Sequence, residues 1–104
     1  MWKEAILENA NTIIAHLIGL VSYPHMMLVR ETAIQCLVAM SGLPHVTIYP
    51  MRPQVLQTIS KALNDLKRLV RHEAARCRQA WFDCIYKHIN HLTFLLQVSG
   101  YDTI

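Results

Sequence analysis

The sequence repeats itself at an offset of forty-one residues, and this periodicity limits the architectures open to it. At that offset Leu28-Val29-Arg30 falls on Leu69-Val70-Arg71, Ala33 on Ala74, Cys36 on Cys77, Ala39 on Ala80, Ile18 on Ile59 and Met40 on Trp81. Periods of about 40–47 residues belong to solenoids of helical pairs, in which each pair buries its apolar face by stacking on the next. Tetratricopeptide and ankyrin periods are shorter and fit less well.

Each unit reads as two helices. In the first, Ile6, Ala10, Ile13, Ile14, Leu17 and Ile18 recur at three- and four-residue steps until Ser22-Tyr23-Pro24 breaks the run. A second helix is expected from about Pro24 to Met40, ended by Ser41-Gly42 and Pro44, with residues 43–50 as a connector. The second unit opens at Arg52-Pro53, where proline at the first helical turn loses no needed N–H, and its first helix is expected to end near Asn64. Asp65 is placed to cap the last helix, setting a carboxylate at the positive end of its dipole. Trp81, Ile85, His88, Ile89, Leu92, Leu95 and Leu96 then carry the helical step up to Ser99-Gly100. The expectation is an all-α chain of two helical hairpins: repeat one over about 1–42, repeat two over about 51–87, and a capping helix, helix extension or tail over 88–104.

Composition agrees with this reading. Leucine, isoleucine and alanine dominate, while 3 glycines and 4 prolines are too few for a many-turned sandwich. At 53% hydrophobic and 16% charged residues, with a mean hydropathy of +0.22, the chain is not disordered and holds more apolar surface than one small core absorbs. Trp2, at the exposed start, is expected to pack against a preceding repeat. His16, Gly19, Pro24 and His25 interrupt the most apolar stretch, so it lacks the roughly 20 clean residues of a membrane span. Three cysteines cannot all pair within the chain, which fits a reducing cytosolic or nuclear setting. A net charge of +3 permits acidic partners without demanding nucleic acid.

The last helix carries the candidate chemistry. At about 100° per residue, Leu66, Leu69, Val70, Ala74, Cys77, Ala80, Trp81 and Cys84 gather on one side, and Lys67, Arg71 and Arg78 line one edge of it. Arg68 lies further towards solvent and Arg76 on the far side. The stripe reads as a solvated edge or as a surface for an acidic protein, with Lys67, Arg68 and Arg78 as candidate contacts. Nucleic acid is a weaker reading, since no aromatic residues interleave to stack bases. Arg30 and Arg71 recur in both units, where an arginine fork reaching a carboxylate or carbonyl of the neighbouring unit would set the stacking. Trp81, in register with Met40, is expected in the repeat core, and Cys36 and Cys77 are expected to be small buried packers. Cys84, His88 and His91, at i, i+4 and i+7, are the one metal-like spacing, but a fourth ligand is missing, so no metal or other cofactor is assigned. No nucleophile elbow, phosphate loop or H-E-x-x-H pattern is present, and catalysis is not expected.

The run Tyr49-Pro50-Met51-Arg52-Pro53-Gln54-Val55-Leu56, then Ala62-Leu63-Asn64-Asp65 and Lys67-Arg68-Leu69-Val70-Arg71-His72-Glu73-Ala74, resembles the C-terminal HEAT repeats of one family. That family is the large HEAT-repeat scaffold of the cytosolic iron–sulfur targeting complex, named for methyl methanesulfonate sensitivity and formerly called a nucleotide excision repair protein. The resemblance covers about residues 44–82 closely and the first unit more loosely, and it departs beyond Phe82. It implies a non-catalytic adaptor whose C-terminal repeats dock the β-propeller and DUF59-type subunits that deliver clusters to apo-helicases and apo-polymerases, in cytoplasm and nucleus. By position, the family's Lys-Arg-Leu-Val-Arg segment corresponds to Lys67, Arg68, Leu69, Val70 and Arg71, and its tryptophan to Trp81. Members are far longer, so the resemblance also implies a C-terminal fragment or truncated form.

Overall fold

The computed structural model describes residues 2–98, with the side chains of residues 3, 85–95, 97 and 98 outside the description. Among the described residues there is no strand. The helices are α1 (Trp2–Glu8), α2 (Ala10–Val21), α3 (Met27–Met40), α4 (His45–Ile48), α5 (Arg52–Ala62) and α6 (Arg68–Val98), with a 3₁₀ turn at Tyr49–Met51.

The forty-one-residue repeat is visible in the packing. α2 pairs with α3 and α5 with α6, and the two hairpins stack with α2 on α5 and α3 on α6. Equivalent positions do equivalent work: Ile14 and Val55, Val21 and Ala62, and Ala33 and Ala74 are all buried in one continuous core. Ala33, Ala62 and Ala74 are small enough to suit close ridge-into-groove packing.

Several boundaries differ from the expectation. Asn9 stands between α1 and α2, where its side-chain amide, at 2.8 Å, shares the Ala5 carbonyl with its own backbone N–H at 3.2 Å. Pro24 lies in the turn, Met26 is extended, and α3 begins at Met27. The connector is not plain coil, since α4 and the 3₁₀ turn place the fully buried Ile48 in the core. α5 does begin at Arg52-Pro53.

α6 is one unbroken helix of 31 residues, which realises the extension rather than a separate cap over the residues described. At about 1.5 Å per residue, it outruns the hairpins and explains why the radius of gyration, 16.0 Å, exceeds the roughly 13 Å of a compact chain of this length. Residues 99–104 of the expected tail lie outside the described residues. No helix among the described residues is long and apolar enough to cross a membrane.

The end of α3 shows how the stack is locked. Its last carbonyls accept backbone N–H bonds from just beyond the helix, Ser41 to Leu37 and Val38 at 3.2 Å and Gly42 to Ala39 at 3.1 Å, and two side chains add to these. Ser41 Oγ donates to the Val38 carbonyl at 2.6 Å, and Trp81 Nε1 donates to the Leu37 carbonyl at 2.8 Å. Trp81 is wholly buried, so one side chain fills the space between hairpins and supplies a helix cap.

Candidate functional site

The turn between α5 and α6 is organised by Asp65. Its Oδ1 accepts the Lys67 backbone N–H at 2.8 Å, two residues on, so it closes an Asx turn ahead of the helix rather than capping its first turn directly. From the other hairpin, Arg30 Nε reaches Asp65 Oδ2 at 2.8 Å and Arg30 Nη2 reaches Oδ1 at 3.1 Å. A third Arg30 bond, from Nη1, goes to the Tyr23 carbonyl at 3.0 Å in the turn between α2 and α3. Burial of Asp65 opposes its ionisation. The Arg30 and Lys67 hydrogen bonds and the charges of Arg30 and Arg71 outweigh that effect and hold the carboxyl below its ordinary range.

Arg71 does not bridge the units. Its Nη1 donates to the Asp65 carbonyl at 2.7 Å, six residues back in the same hairpin, and its side chain is exposed. The reason is positional: α3 has α6 stacked beside it, so Arg30 meets a second turn, whereas the equivalent face of α6 has no described hairpin against it.

Hollows of about 360 and 330 Å³ flank Asp65, the first between Ile18, Thr58 and Lys61, the second between Tyr23, Pro24 and Leu66. Leu66, ahead of α6, is 93% exposed and Leu69, in its first turn, 52%, so these two do not join the apolar side expected of the helical wheel. Val70, Ala74, Cys77, Trp81 and Cys84 are buried as that side. Lys67 and Arg68 are exposed beside Leu66.

Arg78 lies further along α6, apart from Lys67 and Arg68. Its guanidinium carbon sits 5.2 Å from the centroid of the Phe82 ring, and that of Arg52 sits 5.8 Å from the same ring. Arg52 is also tied down by a bond from Nε to the Trp81 carbonyl at 3.3 Å. Arg76 pairs with Glu73 at 3.2 Å. The Phe82 cluster escaped the sequence reading, although Arg78 and Phe82 stand one helical turn apart; the pairing with Arg52 needed the fold.

The cysteines divide. Cys77 is buried in the core, and that burial pushes its thiol up to about 12 against a smaller opposing effect of Arg76. Cys36, expected to be buried by its register with Cys77, is exposed. The two hairpins have different neighbours, so matching positions need not meet matching surroundings. Cys84 is buried with its sulfur 3.6 Å from His45 Nδ1 of α4. No three metal-capable side chains converge among the described residues, and the side chains of His88 and His91 lie outside them.

The half-buried Arg30 and Arg52, tied down by bonds within the fold, are thus distinct from the exposed cations on α6. No protein-family model matches the chain. The chain is 61% identical over 79 residues to the MMS19 nucleotide excision repair protein homolog of Arabidopsis thaliana, covering 76% of this chain and 7% of that protein. The Homo sapiens homolog is 40% identical over 74 residues, covering 71% of this chain and 7% of that protein. For Xenopus laevis the identity is 39% over 79 residues, covering 76% of this chain and 8% of that protein. The chain therefore spans less than a tenth of the length of these curated relatives. Identity of this level over most of the sequence, running from a plant to vertebrates, shows that the chain belongs to the family of MMS19 nucleotide excision repair protein homologs, of which it matches a short stretch.

Proposed function

We propose that this chain is a non-catalytic protein-binding segment that serves DNA repair in the nucleus. The observation that carries the reading is its identity to proteins named nucleotide excision repair homologs. The geometry supports a binding role, because Lys67, Arg68 and Arg78 stand exposed on α6 while Arg30 is committed to Asp65. Cations already neutralised hold the stack, and those left in solvent are available to a partner.

The family resemblance carries the proposal further. The segment docks the β-propeller and DUF59-type subunits of the cytosolic iron–sulfur targeting complex, and the longer relatives pass clusters to repair and replication enzymes in cytoplasm and nucleus. Typical specific interfaces bury about 1,600 Å² in total. Two hairpins offer little more than one such patch, so the chain alone binds weakly. Size-exclusion chromatography with light scattering, on the chain alone and mixed with each subunit, tests this. Co-elution weakened by Lys67→Glu is the expected result. A folded, monodisperse chain that binds neither subunit removes the iron–sulfur reading.

A further inference from the structure

The outer face of the second hairpin differs in kind from the face it repeats. In the first unit Ile34 and Leu37 of α3, the helix that stacks on both α2 and α6, are fully buried. Forty-one residues on, the same two positions of α6 are Ala75 and Arg78, and both are exposed. Ala75 leaves a hollow of about 330 Å³, lined also by Leu63 at the end of α5, Arg78, Gln79 and Phe82. Leu63, Ala75 and Phe82 give the hollow apolar walls, and Arg78 and Gln79 give it polar ones. Arg71 stands one turn before Ala75, and Arg52 and Arg78 lie against the Phe82 ring. The nearby carboxylate is Asp83, which accepts the Gln79 amide at 2.9 Å.

We infer that this face takes an acidic protein segment, seating one apolar side chain in the hollow at Ala75 while its carboxylates meet Arg71, Arg78 and Arg52. The inference rests on the reading of the chain as a protein-binding segment and names the partner's chemistry. A further repeat of the same kind needs large apolar residues here, and Ala75 and Arg78 have replaced them. A second copy of this chain carries the same +3 charge and the same basic face, so the two would repel. Charge complementarity therefore selects an acidic occupant. Arginine suits the task, because its planar fork matches a carboxylate with two parallel bonds. Two of the three guanidiniums are already fixed, Arg52 by the Trp81 carbonyl and Arg71 by the Asp65 carbonyl, which lowers the ordering cost of binding.

The test uses a short fluorescein-labelled peptide with one central leucine among glutamates, a matched peptide with glutamine for glutamate, and a labelled single-stranded DNA. Anisotropy is read on the wild type and on Arg78→Glu and Ala75→Trp, whose folding is checked by circular dichroism. The expected result is binding of the acidic peptide only, weakened about tenfold or more by either substitution. Arg78→Glu reverses the charge at this position, and Ala75→Trp fills the hollow without touching charge. The inference is overturned if the acidic peptide does not bind, if both variants bind it as the wild type does, if the glutamine peptide binds equally, or if DNA binds in preference. Running the propeller and DUF59-type subunits on the same samples separates the two readings. Subunit binding without peptide binding overturns this face alone, and peptide binding without subunit binding overturns the iron–sulfur assignment alone.

Discussion

Arg30 and Asp65, thirty-five positions apart, join the two hairpins through a two-pronged ion pair at 2.8 and 3.1 Å, with both side chains only 13% exposed. Each partner also holds its own turn, Arg30 through the Tyr23 carbonyl and Asp65 through the Lys67 N–H. The pair thereby couples the turn of one unit to the turn of the next. That is a constraint on the angle between hairpins, not only on their attraction.

Removing either partner therefore destabilises the chain. Arg30→Ala and Asp65→Ala are each expected to cost about 1–3 kcal/mol, the range for hydrogen bonds to charged groups left without a partner. The double variant should fall short of the sum, with a coupling of about 1–2 kcal/mol. Arg71→Ala, which loses one exposed bond to a carbonyl, is expected to cost less than about 1 kcal/mol. Urea midpoints of the four variants measure all of this. Additive losses for Arg30 and Asp65 would show that the pair does not act as a unit.

The same pair sets an acid dependence. The Asp65 carboxyl is held below its ordinary range in the folded chain, so its contribution is fully present above about pH 5 and is lost as pH falls through the folded value. Stability from Asp65 should thus be flat from neutrality to about pH 5 and decline below about pH 4. In Asp65→Asn that portion of the acid slope is absent. Thermal melts of both proteins from about pH 3 to 7 check the sign; identical slopes would sink the assignment.

How much could be read in the sequence depended on whether the residue's surroundings repeat with it. Ile14 and Val55 were legible, because the forty-one-residue period gives both the same hairpin partner. The opening of α5 at Arg52-Pro53 was legible from proline chemistry alone. Cys36 and Arg71 were not, because each has a counterpart with a neighbour that it lacks. The Leu66 register failed because a helical wheel assumes that the helix has begun, and the Asx turn at Asp65 delays α6 to Arg68. Of the candidate contacts, Lys67 and Arg68 are exposed as their sequence position suggests, whereas the company of Arg78 could be seen only once α5 was placed beside α6.

Thiol chemistry should follow burial rather than register. Cys36 is exposed, Cys77 is buried with its thiol pushed up to about 12, and Cys84 is buried against His45. The thiolate is the reactive form, so a raised value and burial both slow attack. Native protein treated with a disulfide reagent at neutral pH is expected to release one equivalent quickly, and the rest only on unfolding. Cys36→Ser should abolish the fast phase. A fast phase that survives in Cys36→Ser would place the accessible thiol elsewhere.

Trp81 is where packing and capping coincide, and the two contributions can be separated. Trp81→Phe keeps most of the apolar volume but removes the N–H that meets the Leu37 carbonyl, leaving a buried helix-end oxygen one donor short. The lost bond costs about 1 kcal/mol. The unfilled part of the indole site adds about 1–2 kcal/mol, because a close-packed interior relaxes only in part. Trp81→Ala should lose more, about 3–5 kcal/mol. Fluorescence gives an internal control: Trp2 is 85% exposed and Trp81 wholly buried, so acrylamide should quench the wild type in two phases and Trp81→Phe in one. If Trp81→Phe unfolds within about 0.5 kcal/mol of the wild type, the size of a neutral surface change, then the indole neither caps α3 nor fills the seam between the hairpins.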